Sequence, residues 1–218
     1  MKQSHTNKMV REVIILEGTS ATGKTSSSNS ISCDFTYYCG RHPMLVNKNE
    51  DSIHSDLYNN KLFTDTIVFL KRANKNPDGE DLVVDRSIFS SLLYNILFKF
   101  KGFNEDPLVF KKVVNEFMHA DMCKLIYQNY NILWTLLLEA APLLKISLLW
   151  IDPLNVEKVV EQLHTRNGFE VTNGYNLKNY VLNQKFLFIK FQHILEIGVI
   201  VEVDSYYISK PSAKNIST

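Results

Sequence analysis

The sequence is poor in cysteine, in net charge and in long apolar runs. Its 218 residues include only 3 cysteines, which lack the paired spacing of a zinc site or a disulfide framework. The 24 lysines and arginines nearly balance the 23 aspartates and glutamates, so net charge gives no reason to expect a nucleic-acid or membrane-surface partner. Any site for an anion must therefore be local.

The two longest apolar stretches are both interrupted by polar residues. Residues 131–151 are interrupted by Glu139, Pro142 and Lys145, and residues 186–203 by Lys190, His193, Glu196 and Gly198. The N-terminus is polar and lacks the apolar core of a signal peptide. We therefore expect no membrane segment, reduced cysteines and a cytoplasmic location, with the nucleus as the alternative.

Short apolar segments alternate with segments of helical periodicity along the chain. Residues 13–18, 81–87 and 146–153 are mainly apolar and end in polar or turn residues, which is typical of strands buried on both faces. Residues 198–204 and, more weakly, 35–39 follow the same pattern. The alternation predicts an α/β fold, with a parallel sheet of about five strands and helices on both faces.

The length and composition of the chain favour one domain with a sizeable core, since 45% of its residues are hydrophobic. We expect this domain to cover residues 12–209. A flexible N-terminal tail, residues 1–11, precedes it, and a C-terminal tail, residues 210–218, follows it.

The first predicted strand leads directly into a phosphate-binding motif. Residues 18–25 read G-T-S-A-T-G-K-T and fit G-x-x-x-x-G-K-[ST] at every fixed position. The glycines let backbone N–H groups point at phosphate oxygens, Lys24 reaches the β- and γ-phosphates of ATP, and Thr25 holds Mg²⁺. A surface turn that matches by chance is disfavoured by the preceding strand. The predicted ATP-binding residues are Gly18, Thr19, Ser20, Ala21, Thr22, Gly23, Lys24, Thr25 and Ser26.

The predicted strand at 81–87 delivers Asp85 and Arg86 to the same edge of the sheet as the phosphate loop, because parallel strands all end at one edge. Ligands of such folds bind at that edge. A carboxylate at this point can hold a water molecule of the Mg²⁺ shell, and a guanidinium can bind a phosphate through two hydrogen bonds. The alternative is a structural salt bridge. The phosphate motif earlier in the chain favours the functional interpretation.

Four stretches resemble, in their order, the motifs of thymidylate kinases and the related deoxynucleoside kinases. They are LEGTSATGKT, GRHP, VVDRSIFSSLLYN and the stretch from residue 141 to 170, and the resemblance spans about residues 12–205. The third stretch is similar to the family's D-R-[YH] followed by S-x-x-A-Y-Q. The resemblance implies a three-layer P-loop kinase fold, ATP as the phosphate donor, Mg²⁺, a small nucleoside or nucleotide acceptor, and a homodimer.

The resemblance also implies roles for individual residues. Arg86 would clamp the phosphate of the acceptor, and Asp85 would act near Mg²⁺ together with Thr25. Phe69 and Arg72 would contact the base, although a core position is the alternative for Phe69. The acceptor-binding residues implied in this way are Arg41, Phe69, Arg72, Arg86, Ser91, Tyr94 and Asn95.

Arg166 falls where these enzymes carry a basic lid, here near residues 162–175, with Glu170 as its trailing acidic residue. Phosphoryl transfer concentrates negative charge, and residues 19–22 of the phosphate loop contain no lysine or arginine, so the lid must supply a cation. The alternative for Arg166 is a solvated surface arginine. The predicted catalytic residues are Lys24, Asp85, Arg86 and Arg166.

Two positions depart from the family pattern. Ser20 stands where thymidylate kinases usually have a carboxylate, and His42 replaces the glutamate that resembles the catalytic base of deoxynucleoside kinases. A nucleoside hydroxyl must lose a proton, whereas a monophosphate already presents an ionised oxygen. We therefore expect transfer of the γ-phosphate of ATP to dTMP or a similar deoxynucleotide. The alternatives are a deoxynucleoside kinase, with Asp85 or His42 as its base, and an inactive nucleotide-binding protein.

The segment from Val109 to Leu138 combines helical periodicity with more apolar surface than one sheet face needs. The extra apolar surface predicts that the homodimer forms through this segment. A central core helix is the alternative.

Overall fold

A computed structural model of the protein describes residues 10–22, 24, 36–38 and 52–203. Five strands of this part form one sheet in the order β2-β3-β1-β4-β5, and every neighbouring pair is parallel. The strands are β1 Glu12–Gly18, β2 Thr36–Tyr38, β3 Leu82–Asp85, β4 Lys145–Pro153 and β5 Val199–Val203. The sheet confirms the predicted α/β fold and its parallel strands.

The helices that the structure describes connect these strands. They are α1 Ser52–Asn74, α2 Ile88–Lys99, α3 Pro107–Met118, α4 Asp121–Glu139, α5 Val156–Arg166, α6 Phe169–Thr172 and α7 Leu177–Leu195. A side-chain oxygen caps the first turn of four of them and accepts a hydrogen bond from a backbone N–H that the helix leaves unpaired. These caps are Ser87 for α2, Asp106 for α3, Asn155 for α5 and Asn176 for α7.

The segment predicted as one long helix from Val109 to Leu138 is divided in two. Helix α3 ends at Met118, where the N–H of His119 and that of Ala120 bond back to the last turn. Helix α4 begins at Asp121, whose carboxylate lies in the first turn, where a negative charge is favourable.

The central strands are buried on both faces, as their apolar sequences predict. In β1, Val13 and Ile15 belong to one hydrophobic cluster, whereas Ile14 and Leu16 belong to another. All seven helices contribute to the first cluster, where the ring of Phe89 lies 5.5 Å from that of Trp150. Among the described residues, the second cluster consists of strand residues only, so helical cover of that face stays a prediction.

The register of the sheet brings the ends of β1, β3 and β4 to one edge. Leu16 pairs with Asp85, and Gly18 pairs with Ile151. Gly18 has a φ of +127°, and an added Cβ would lie 2.3 Å from the carbonyl oxygen of Ile151. Only glycine allows β1 to pass this close to β4 and then turn into the phosphate loop.

Residues 1–9 and 204–218, which include most of the two predicted tails, lie outside the described residues. The proposed domain limits therefore stay predictions. Within the described part of the chain, no helix is sufficiently long and apolar to cross a bilayer.

Candidate active site

The phosphate loop begins at the end of β1 and surrounds the side chain of Lys24. This side chain is 6% exposed, and its ammonium donates to the carbonyl oxygens of Gly18 at 2.9 Å and Thr19 at 2.5 Å. The hydroxyl of Thr22 donates to the Thr19 carbonyl as well. Gly23, Thr25 and Ser26 lie outside the described residues, so their predicted roles stay predictions.

The charge on Lys24 lies close to other charges of the site. Burial, together with the nearby positive charge of Arg86, lowers the pKa of Lys24 to about 8. Asp85 and Glu17 act in the opposite direction, because a carboxylate favours the charged amine. The electrostatics therefore place two cations and two carboxylates within interaction range of one another.

Asp85 is the last residue of β3, Arg86 follows it, and both lie at the predicted edge. Asp85 is buried, and the N–H of Arg86 donates to the carbonyl oxygen of Leu16 at 2.9 Å. Arg86 has a φ of +80°, a left-handed conformation that costs about 1 to 2 kcal/mol for a residue with a Cβ. Its guanidinium carbon lies 5.1 Å from the centre of the Tyr94 ring, in cation–π contact.

The charge of Arg86 is stabilised by its surroundings. Electrostatic interactions with Tyr94, and then with Asp85 and Glu17, raise the pKa of Arg86, although burial acts against them. The guanidinium is therefore positively charged at every physiological pH. A cation held in this way is suited to an anionic ligand.

Glu17, the acidic residue that precedes the phosphate loop, belongs to the site but was not predicted from the sequence. Its side chain is fully buried, and its carboxylate accepts hydrogen bonds from Ser87 and Ser90 at the start of α2. Burial raises the pKa of Glu17, whereas the two serines and the charge of Arg86 oppose that rise. A carboxylate inside an otherwise apolar strand is the sequence signal that would have identified this residue.

Helix α2 presents Ser91 and Tyr94, both predicted to bind the acceptor, one turn apart. Both side chains are buried, and the hydroxyl of Tyr94 lies 2.7 Å from that of Ser20 in the phosphate loop. The side chain of Asn95 is half-buried on the same helix. The structure therefore brings Tyr94 and the phosphate loop into direct contact.

Gln184 of α7 is a second polar residue that the sequence analysis missed. It is fully buried, and its side-chain oxygen accepts a hydrogen bond from the N–H of Ser20 at 2.9 Å. The hydroxyl of Tyr94 lies 3.5 Å from the same oxygen. Gln184 stands among buried apolar residues of its helix, such as Leu187 and Phe188, and this break in the apolar face is its sequence signal.

Arg72 does not lie with the other predicted acceptor-binding residues. It is exposed in the last turn of α1, where the carbonyl oxygen of Ala73 accepts a hydrogen bond from Arg11 directly before β1. That end of β1 is about 20 Å from Gly18, as six steps along a strand require. Phe69, one turn earlier, is half-buried and packs against the first hydrophobic cluster.

The structure therefore does not bring Arg72 together with the other predicted acceptor-binding residues, and Phe69 packs against the core. The sequence pattern identified a helix face but not its distance from the edge of the sheet. Arg41 and His42 lie outside the described residues.

The predicted lid corresponds to the connection between α5 and α7. Arg166 ends α5, and its guanidinium donates to the carboxylate of Glu170 at 2.8 Å. The chain turns between them through Asn167, which has a φ of +46°. The charge of Arg166 is within range of Lys24, since it contributes to lowering the pKa of that amine. Closure of this segment over a ligand stays a prediction.

No group of three or more histidine, cysteine, aspartate or glutamate side chains in the described part of the chain is arranged to hold a metal ion. A Mg²⁺ site of a different kind is compatible with Asp85, which is buried at the sheet edge beside Lys24. Mg²⁺ usually keeps several waters and takes one or two protein carboxylates together with phosphate oxygens of the substrate. The donor set therefore fits an ion that arrives with a nucleotide.

Comparison with known proteins gives only distant similarities. No family model matches the chain, and no curated protein matches it. Among solved structures, deoxyadenosine kinase from M. mycoides with bound dATP has a TM-score of 0.48 at 13% identity, covering 88% of this chain and 90% of that chain. The same kinase with bound dCTP has a TM-score of 0.42 at 13% identity, covering 88% and 89%.

A third structure of that kinase, with the products dCMP and a flexible dCDP, has a TM-score of 0.41 at 12% identity and covers 88% of this chain and 89% of that chain. With TM-scores below 0.5, these similarities assign neither an activity nor a substrate. The geometry of the site must carry any functional conclusion.

Proposed function

We propose that the protein is an ATP-dependent kinase that phosphorylates a deoxynucleoside or a deoxynucleoside monophosphate. The observation that carries the proposal is the placement of Lys24 and Arg86 beside Asp85 at the edge of one parallel sheet. A phosphoryl group that passes between donor and acceptor carries negative charge, and fixed cations stabilise that charge.

The residues divide into a donor side and an acceptor side. Lys24 and the backbone of the phosphate loop bind the phosphates of ATP, and Arg166 approaches them from the lid. Asp85 would help to hold the Mg²⁺ that accompanies ATP. Bound Mg²⁺ supplies additional positive charge to the phosphates. Arg86, oriented over Tyr94, faces the acceptor.

dTMP is the first acceptor to test. The stretch from residue 83 to 95, VVDRSIFSSLLYN, resembles the corresponding stretch of thymidylate kinases, and Arg86 provides a cation for the phosphate of such an acceptor. The predicted second cation, Arg41, lies outside the described residues, so the choice of a phosphorylated acceptor depends on Arg86 alone.

A deoxynucleoside is the second candidate acceptor, and a specific observation favours it. A nucleoside hydroxyl needs a group that removes its proton, and Asp85 is a buried carboxylate beside both cations. The other carboxylate, that of Glu17, accepts four hydrogen bonds from the start of α2. The kinase from M. mycoides is, by its name, a deoxyadenosine kinase.

The test is ADP release from ATP and Mg²⁺ against thymidine, deoxyadenosine, deoxycytidine and their monophosphates. Turnover of dTMP supports the first acceptor, and turnover of nucleosides alone supports the second. If ATP raises the melting temperature but none of the six compounds is phosphorylated, the protein is a nucleotide-binding protein without transfer activity. Absence of ATP binding would contradict the proposal as a whole.

We propose further that two copies associate through the outer face of α4. Leu125, Ile132 and Leu136 lie on one face of this helix at spacings of seven and four residues, and they are 62%, 58% and 42% exposed. Light scattering at micromolar concentration should give twice the mass of the chain, and Ile132→Glu should give a monomer. Leu154→Glu, an equally exposed apolar position outside this face, is the control. A monomeric wild type would contradict this interface.

A further inference from the structure

Glu17 is a fully buried acidic residue of the site that the proposed transfer does not use. Its Oε1 accepts hydrogen bonds from the N–H and the hydroxyl of Ser87, both at 2.6 Å, and from the N–H of Ser90 at 3.2 Å. Its Oε2 accepts one from the hydroxyl of Ser90 at 2.6 Å. Four donors around one fully buried carboxylate hold it in a single orientation.

These hydrogen bonds connect β1 to the turn that presents Arg86. The carbonyl oxygen of Leu16 accepts from the N–H of Arg86, and the carboxylate of Glu17 accepts from the N–H of Ser87. Two consecutive residues of β1 therefore hold the backbone on both sides of Arg86. Because the φ of Arg86 is +80°, a backbone without these contacts would relax to negative φ and turn the side chain elsewhere.

We infer that Glu17 is a positioning residue, which fixes the direction of Arg86 toward the acceptor and its distance from the phosphate loop. Glu17 directly precedes Gly18, so the same residue starts the donor loop and anchors the acceptor-binding cation. The electrostatics agree, because the charge of Glu17 raises the pKa of both Lys24 and Arg86. The catalytic consequence rests on the proposed function, whereas the effect on Arg86 does not.

The first test is Glu17→Gln, which keeps the shape of the side chain but places an amide NH₂ among four donors. We expect kcat/KM for the acceptor to fall about 10- to 100-fold, as misplacement of a substrate-binding group does. The dissociation constant for ATP measured without acceptor should stay within about threefold. Ser90→Ala, which removes one hydrogen bond, should have a smaller effect in the same direction, and Glu17→Asp should recover part of the loss.

A matched control lies at the other end of the same strand. Glu12 also has a carboxylate that accepts a hydrogen bond from a serine, the hydroxyl of Ser147 at 2.6 Å, but it lies at the edge opposite the site. Glu12→Gln should leave kcat/KM for the acceptor within about twofold of the wild-type value.

A second readout does not depend on turnover. The guanidinium of Arg86 lies 5.1 Å from the centre of the Tyr94 ring, so the ring shifts the NMR signal of the Arg86 Nε–H. With isotope-labelled arginine, and with Arg86→Lys to assign the signal, we expect it to move in Glu17→Gln and in Ser90→Ala but not in Glu12→Gln.

The two readouts distinguish the inference from the proposed function. If the wild type phosphorylates no acceptor but the Arg86 signal moves in Glu17→Gln, the positioning role holds and the proposed function fails. An Arg86 signal unchanged in both Glu17→Gln and Ser90→Ala would overturn the inference, whatever the protein phosphorylates. If Glu17→Gln does not fold, Ser90→Ala alone decides.

Discussion

Replacing Lys24 by methionine separates the role of its charge in ligand binding from the cost of that charge to the fold. Burial, reinforced by the charge of Arg86, lowers the pKa of Lys24 from 10.5 to about 8. A fall of about 2.5 in pKa corresponds to about 3 kcal/mol against the charged form in the folded protein. Methionine fills a similar volume without a charge, so this penalty disappears in the variant, but the loss of the hydrogen bonds to the carbonyl oxygens of Gly18 and Thr19 offsets part of the gain.

We expect the free energy of unfolding of Lys24→Met at pH 7 to equal that of the wild type or to exceed it by up to about 3 kcal/mol. The pH dependence has a definite sign. Because the folded pKa of about 8 lies below the unfolded value of 10.5, the unfolded wild-type chain binds more protons between these two pH values. The stability of the wild type therefore rises with pH in that window, and the advantage of the variant shrinks.

Urea unfolding of both proteins at pH 7 and at pH 10 measures this difference, with the exposed Lys112→Met as the control. A melting-temperature series with ATP and Mg²⁺ provides the second measurement, in which ATP should stabilise the wild type and Lys112→Met but not Lys24→Met. A variant that is less stable than the wild type by more than about 1 kcal/mol at pH 7, with no change at pH 10, would refute the electrostatic reasoning. Unchanged stabilisation by ATP would refute the phosphate-loop assignment.

Two further predictions concern the stability of the framework around the site. In Gly18→Ala the new methyl group would lie 2.3 Å from the backbone oxygen of Ile151, so we expect a loss of more than about 3 kcal/mol by urea unfolding, against about 1 kcal/mol for the uncrowded Gly174→Ala. Equal losses in the two glycine variants would contradict the close approach of β1 and β4. The buried amide of Asn183 donates to two loop carbonyls at 2.9 and 3.0 Å, and Asn183→Leu should cost about 2 to 4 kcal/mol. A neutral result for Asn183→Leu would mean that water replaces the amide.

The parallel sheet was predictable because its strands carry their signal locally. A strand buried on both faces is apolar along most of its length, and β1, β3 and β4 are mainly apolar runs of this kind. The break between α3 and α4 was not predictable in the same way, since the helical periodicity continues across His119 and Ala120 while the backbone does not.

The position of Arg72 relative to the sheet was not predictable for a related reason. Periodicity reports which face of a helix a residue occupies, but the position along the helix relative to the sheet depends on how the helix docks. Arg11, bonded to the carbonyl of Ala73, places the end of α1 at the edge opposite Lys24. That contact joins residues 62 positions apart in the chain, and no local sequence pattern predicts it.

The sequence by itself determined the phosphate motif and the arrival of Asp85 and Arg86 at the same edge, because both depend only on contiguous residues and on the rule that parallel strands end together. Tertiary structure alone decided that Glu17 meets Ser87 and Ser90 and that Gln184 meets Ser20, contacts that span 70, 73 and 164 positions. A buried polar group needs a hydrogen-bond partner. Which residue becomes that partner depends on the elements that pack against the group, and only the folded chain specifies that packing.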